Sequence, residues 1–210
     1  MLYVDVDAFC KLAHWNILPL LPELTRHQWH EIATVSSLWH RANRAKTRPD
    51  GKLFYAVEPA NIACSCMEKM GRLPEPKPEK LMCAIDVPQI DPGEAVLLSI
   101  TADDPTGYFL TGDKRALKAL SRLDCVTPLI GRILTVEQIL FLCIEKMGHT
   151  WFMKNVCPYR HIDKAVYMIT GSQCLGTETS VKAGLFSYIN EISALCDPSL
   201  IYTTNAFGSQ

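Results

Sequence analysis

Leu2-Tyr3-Val4-Asp5-Val6-Asp7 and Tyr108-Phe109-Leu110-Thr111-Gly112-Asp113-Lys114-Arg115 decide how this chain folds. Each is a brief apolar run that ends on an aspartate. Such runs read as buried strands of an α/β protein, and ligands gather beyond the carboxyl ends of such strands. A third acid, Glu94 in Asp91-Pro92-Gly93-Glu94-Ala95, opens a helical stretch between them. Three carboxylates at one sheet edge suit a hard divalent cation, Mg²⁺ or Mn²⁺, and chemistry on phosphate.

The rest of the chain is read outward from these runs. Residues 8–21 have mixed helical character, and 24–32 read as a second short helix. Residues 33–38 are rich in β-branched and small side chains and read as the second strand, running into a helix. Arg48-Pro49-Asp50-Gly51 is a turn signal. A helix follows over 57–70, with Gly71 at its stop. Residues 73–80 form a proline-charged, extended connector, and 81–87 a short strand or edge segment.

Residues 91–102 read as a buried helix and 108–111 as the strand that delivers Asp113. A short helix follows over 113–123, then a final strand over 126–130. The helix over 135–147 has a Thr135/Gln138 capping pattern and stops at Gly148. Beyond it strand signals fade, and 151–156, 161–170 and 180–195 read as three helices. The alternation of strands and helices implies a parallel α/β sheet in a domain over 1–148. The helical extension over 149–202 packs on that core, and 203–210 form a loose tail.

At 210 residues, 48% hydrophobic and 20% charged, the composition is that of a globular protein. A net charge of −1 gives no overall attraction for a polyanion, so nucleic-acid binding has to come from a local patch. No stretch approaches the roughly 20 apolar residues of a membrane span. Met1-Leu2-Tyr3-Val4-Asp5 lacks the basic start and long apolar core of a secretion signal. The nine cysteines are therefore expected to be reduced thiols of a cytoplasmic protein. Cys143, His149, Cys157 and His161 are irregularly spaced with no CxxC pair, which favours core thiols and surface histidines over zinc. Cys64 and Cys66 point roughly 200° apart on a helix and read as small core residues. No P-loop, dinucleotide fingerprint or Gly-x-Ser-x-Gly elbow is present.

Each acid also has a purely structural reading. Asp5 and Asp7, two apart on a strand, project to one face and can be a polar strand end in solvent. Asp91 as N-cap, Pro92 at the first helical position and Glu94 two residues later make a helix start. Asp113 can simply begin the helix that follows it. Among basic residues, 40–52 hold Arg41, Arg44, Lys46, Arg48 and Lys52 with Asp50 the sole acid. This is the best phosphate-contact patch in the sequence, or else a solvated helix end. Lys114, Arg115 and Lys118 beside Asp113 allow the same two readings.

The combination is more specific than its parts. An N-terminal strand ending in Asp-x-Asp, then 90–98 around Gly93-Glu94-Ala95, then 109–117 around Thr111-Gly112-Asp113-Lys114-Arg115, resembles the PIN-domain nucleases. The resemblance covers about residues 1–130. It implies a three-layer α/β/α sandwich, with Asp5, Glu94 and Asp113 as catalytic, metal-site acids and Asp7 supporting the Mg²⁺ or Mn²⁺. Arg41, Arg44, Lys114 and Arg115 would then hold substrate. It further implies an RNA substrate, toxins of toxin–antitoxin pairs as one class of relative, an antitoxin-like protein partner, and self-association into a homodimer. The family places another acid on the helix after its second strand. Here that stretch is Ser36-Ser37-Leu38-Trp39-His40-Arg41-Ala42, and its nearest substitutes are Ser37, His40 or the more distant Glu58. A PIN-like binding module without activity is the alternative function.

Overall fold

The computed structural model describes residues 1–74 and 87–203. Most of the expected 73–80 connector, residues 81–86 of the segment expected as a short strand, and the tail from 204 lie outside the described residues.

Four parallel strands, β1 (Leu2–Val4), β2 (Ile32–Ala33), β3 (Tyr108–Thr111) and β4 (Ile133–Thr135), form one sheet in the order β2-β1-β3-β4. The register places Leu2, Tyr3 and Val4 opposite Tyr108, Phe109 and Leu110, and Thr111 opposite Thr135. Strand side chains alternate between faces, and both faces are apolar and covered. Leu2, Val4, Ile32, Leu110 and Leu134 join one core with Phe9, Trp15, Ile139, Phe152 and Leu185. Tyr3, Ala33, Phe109 and Ile133 join a second with Leu97, Leu98, Leu117, Leu120 and Ile192. The architecture is therefore α/β, with helices against both faces of a parallel sheet.

The helices are α1 (Val6–His14), α2 (Leu21–Thr25), α3 (Ser37–Ala45), α4 (Val57–Met67), α5 (Pro92–Asp103), α6 (Lys114–Leu120), α7 (Val136–Met147), α8 (His149–Val156), α9 (Lys164–Thr170) and α10 (Glu178–Leu195). Helix α7 has the expected capping box at Thr135 and Gln138 and ends at Gly148, whose φ of 81° lies in the glycine-favoured region. Side chains of α8 to α10, among them Phe152, Val166 and Leu185, share the first core with α1 and the sheet.

Several expectations are corrected. The final strand is Ile133–Thr135; residues 127–129 form a 3₁₀ turn. Pro128 lacks the N–H that a ladder needs, which moves the strand past Gly131. The helix expected over 24–32 is two short pieces with a break, because Arg26 takes a left-handed conformation (φ 58°) and ends α2. The second strand is only Ile32–Ala33, one residue earlier than expected, and α3 begins at Ser37. Asp163 caps α9, so 161–170 is a 3₁₀ end followed by a shorter helix. Gly71 does not cap α4, which ends at Met67 with Glu68 as its cap. The Gly71 N–H donates to the Ile32 carbonyl of β2 at 2.9 Å, and a Cβ there would clash with the His30 carbonyl oxygen.

Asp5 and Asp7 do not share a strand face. The chain leaves the strand at Val4, Asp5 caps α1 and Asp7 sits in the helix's first turn. Reduced thiols are corrected at one pair: Cys157 and Cys174 form a disulfide, their Cα atoms 6.1 Å apart. Short α9 folds the 171–177 loop back on the 157–162 turn, and only that tertiary return brings the sulfurs within bonding geometry. Among the described residues, no helix is long and apolar enough to cross a membrane.

Candidate functional site

In a parallel sheet every strand ends at one edge, and the helix that follows each strand starts there. Strand order reverses between β1, which leads on to β2, and β3, which leads on to β4. That reversal is where open α/β sheets bind ligands. Asp5 and Asp113 stand on either side of it.

Asp5 follows β1 directly, and its N–H donates to the Leu110 carbonyl of β3 at 2.9 Å. Its Oδ2 accepts from the N–H groups of Asp7 (3.2 Å) and Ala8 (3.4 Å), capping α1. Asp113 caps α6 by accepting from the N–H groups of Arg115 (2.7 Å) and Ala116 (3.2 Å). Glu94 arrives from α5, where it and Asp91 form a reciprocal capping box at 2.9 and 3.0 Å. The structural reading of Glu94 and Asp113 as helix starts is thus correct, Asp5 proves to be a helix cap and not a strand end in solvent, and capping does not compete with the functional reading. The caps point the helix N-termini at one edge, with the partial positive charge those ends carry. Asp5, Asp7, Glu94, Asp113, Arg41 and Arg115 line a single cleft of about 510 Å³, together with Lys11, Leu53 and Asp91.

The charges in this cleft are unequal. Asp5 and Glu94 are each only 4% exposed. Burial, reinforced by the charge of Asp7, raises the Asp5 carboxyl to about 6. Burial raises Glu94 to about 8, against a hydrogen bond from Asp91 and with the charges of Asp5, Asp91 and Asp113 adding to the rise. Asp113 goes the other way. Burial favours its neutral form, but the Arg115 side chain (3.2 Å) and the capping N–H groups outweigh that and hold it below the usual carboxylate range.

Beside them, Lys11 bridges Asp7 and Asp163, 2.8 Å from each. Burial alone would lower its pKa, but the two carboxylates raise it well above the ordinary value. Asp163 is correspondingly lowered despite its own burial.

Of the expected substrate cations, Arg41 and Arg115 reach the cleft. Arg41 also pairs with Asp50 at 3.4 Å. Arg44 is exposed in the last turn of α3 and is not among the lining residues. Lys114 lines a neighbouring pocket of about 530 Å³, pairs with Glu191 at 3.4 Å and lies 4.6 Å from the Tyr188 ring centre. From the helix after β2, where an acid was sought, it is Arg41 that lines the cleft; Ser37, His40 and Glu58 are exposed and do not.

Three residues escaped the sequence reading. Glu137, 6% exposed, lies in the neighbouring pocket with Asp113 and Asp163. Burial raises its pKa, and its Oε2 finds no hydrogen-bond partner among the described residues. Its signal was present: Ile133-Leu134-Thr135-Val136-Glu137 is a third apolar run that ends on an acid. Lys11 had a weaker signal, the i,i+4 spacing to Asp7. Asp163, 152 residues from its partner Lys11, had none.

The donor chemistry fits a hard divalent cation. All candidate ligands are carboxylate oxygens, two of them buried among like charges, and a further buried carboxylate oxygen next door is unpartnered. They do not stand as a finished cage: among the described residues no three His, Cys, Asp or Glu side chains are grouped to hold an ion. Compared with known proteins, the chain matches no family model, no curated protein and no solved structure.

Proposed function

We propose that the chain is a PIN-like, Mg²⁺- or Mn²⁺-dependent ribonuclease. The observation that carries this reading is the burial of Asp5 and Glu94 at the sheet's switch point with no ion pair to either among the described residues. A buried carboxylate is normally paired or neutral. These two are arranged so that an added cation relieves the most unfavourable charges in the cleft. The motif resemblance supports the same conclusion.

Asp5, Glu94 and Asp113 would hold the cation, with Asp7 at the rim. When bound, it supplies an acidified water and a positive charge facing the phosphate oxygens. The chain's own residues do the rest. Glu94 keeps a proton at neutral pH while no cation is present and gives it up on binding. Arg41 and Arg115 accept the phosphate backbone from the two sides of the cleft. Arg115 is 84% exposed and can exchange Asp113 for a phosphate with little loss, since exposed ion pairs contribute only about 0–1 kcal/mol. Lys114 borders the adjoining pocket and Arg44 the outer face of α3. The resemblance extends the proposal to a cytoplasmic, toxin-like role with an antitoxin-like partner or a second copy of the chain.

Cleavage of single-stranded RNA with Mn²⁺ tests the reading, and Asp5→Asn and Asp113→Asn are expected to abolish it. Cleavage that persists in Asp113→Asn overturns it. One observation favours a second reading, an inactive PIN-like module that binds RNA or protein. Arg41 lines the cleft from the helix where the family carries an acid, and with Arg115 it can neutralise the site from within. Such a module binds Mn²⁺ no better than a generic acidic surface does.

A further inference from the structure

We propose that Tyr55, with His161 edge-on beside it, is a stacking platform for a nucleobase of a single-stranded nucleic acid whose backbone lies in the acidic cleft. The proposal rests on reading that cleft as a phosphodiesterase site and adds a base-binding subsite to it.

Tyr55 is 46% exposed, unusual for a ring so firmly held. The loop that carries it is rigid because Asp50 Oδ1 accepts three N–H groups, from Lys52 (2.9 Å), Leu53 (2.9 Å) and Phe54 (3.0 Å). Phe54 is fully buried and anchors the loop in the core. The Tyr55 N–H then donates to Nε2 of His14 at 3.2 Å, and Nδ1 of His14 meets the Cys10 carbonyl at 2.8 Å. This uses both ring nitrogens in the neutral form, which burial of His14 also favours. The His14 ring packs edge-on to Tyr55, centres 5.5 Å apart. Tyr55 is therefore tied through one buried histidine to α1, the helix capped by Asp5.

Tyr55 also meets the exposed His161 edge-on, ring centres 5.8 Å apart at 79°. Beneath lies a notch lined by Asp7, Cys10, Lys11, His14, Lys52 and Tyr55. Asp7, Lys11 and Leu53 belong to this notch and to the acidic cleft alike, so the two adjoin. The notch measures only about 50 Å³, too little to swallow a base. A base can lie only over the exposed ring, with Lys52 placed for the adjoining phosphate. An unpaired base offers such a face and a paired one does not, which makes a single strand the ligand.

Anisotropy of a labelled single-stranded RNA octamer tests this, with Ca²⁺ replacing Mn²⁺ to prevent cleavage. Tyr55→Ala is expected to weaken binding by roughly 5- to 100-fold, and Tyr55→Phe to bind like wild type. An abasic residue at one position of the octamer should cost wild type the same factor and cost Tyr55→Ala nothing. Equal affinity of Tyr55→Ala and wild type, or an abasic penalty unchanged in Tyr55→Ala, overturns the platform. If wild type still cleaves the octamer with Mn²⁺, the nuclease reading survives that failure. An octamer that wild type neither binds nor cleaves overturns both.

Discussion

The acidic cleft and the ion-pair cluster at its edge treat charge in opposite ways. On the α1–α9 side, Asp7 and Asp163 clamp Lys11, and the three charges satisfy one another. On the β1–α5 side, Asp5 and Glu94 are more deeply buried, make no ion pair among the described residues, and both carboxyls are pushed up. A self-satisfied cluster holds structure, here joining the helices of the C-terminal third to α1. The unpaired carboxylates cap helix ends but keep a buried charge that no ion pair offsets, and there a cation has something to gain. The contrast separates residues that build the cleft from residues that use it.

The largest effect expected is on the unsatisfied side. Asp5→Asn, Glu94→Gln and Asp113→Asn should each reduce Mn²⁺-dependent RNA cleavage by at least about 100-fold, with the fold intact by circular dichroism. Activity that survives at Asp5 or Glu94 would remove the distinction between cleft and cluster. On the satisfied side, Lys11→Met should cost about 2–3 kcal/mol in chemical denaturation, because it leaves two carboxylates facing one another unpaired. A change within 0.5 kcal/mol, by the ordinary standard of surface substitutions, would show that the cluster holds nothing together.

How much of this could be read from the chain depended on whether the signal was local. β1, β3 and α7 carry their reasons in adjacent residues: an apolar run before an aspartate, or Thr135 with Gln138 and a glycine stop. β2 has two residues, too few for any period to show. β4 was misplaced because 126–130 is apolar, although Pro128 denies it the ladder. Glu137 was lost by the same error, since its place after a strand appears only once the strand is set at Ile133–Thr135. The site's acids were legible because parallel strands bring their ends together by rule. Lys11 with Asp163, and Cys157 with Cys174, depend on a return of the chain that no local pattern announces.

Smaller effects sharpen the comparison. Cys157→Ser should lower stability by about 2–3 kcal/mol, as expected for a bridge closing a loop of this length, and reductant should do the same to wild type. Equal melting temperatures with and without reductant would contradict it. Glu94 gives a pH dependence whose sign follows from its raised carboxyl. The native state holds this proton up to about pH 8, whereas the unfolded chain releases it near 4.5. Its contribution to stability is full below 4.5 and is lost as pH rises through 8. Without divalent cation, wild type should therefore lose several degrees of melting temperature relative to Glu94→Gln between pH 5 and pH 8. Parallel profiles for the two proteins would mean that Glu94 is not under strain.

Calorimetric titration of Mn²⁺ at pH 7 in two buffers of different ionisation enthalpy tests the central claim most directly. Saturable binding with release of a proton in wild type, binding at least about 10-fold weaker in Asp5→Asn, and no proton release in Glu94→Gln are the predicted results. Weak, unsaturable binding that is the same in all three proteins would contradict the account.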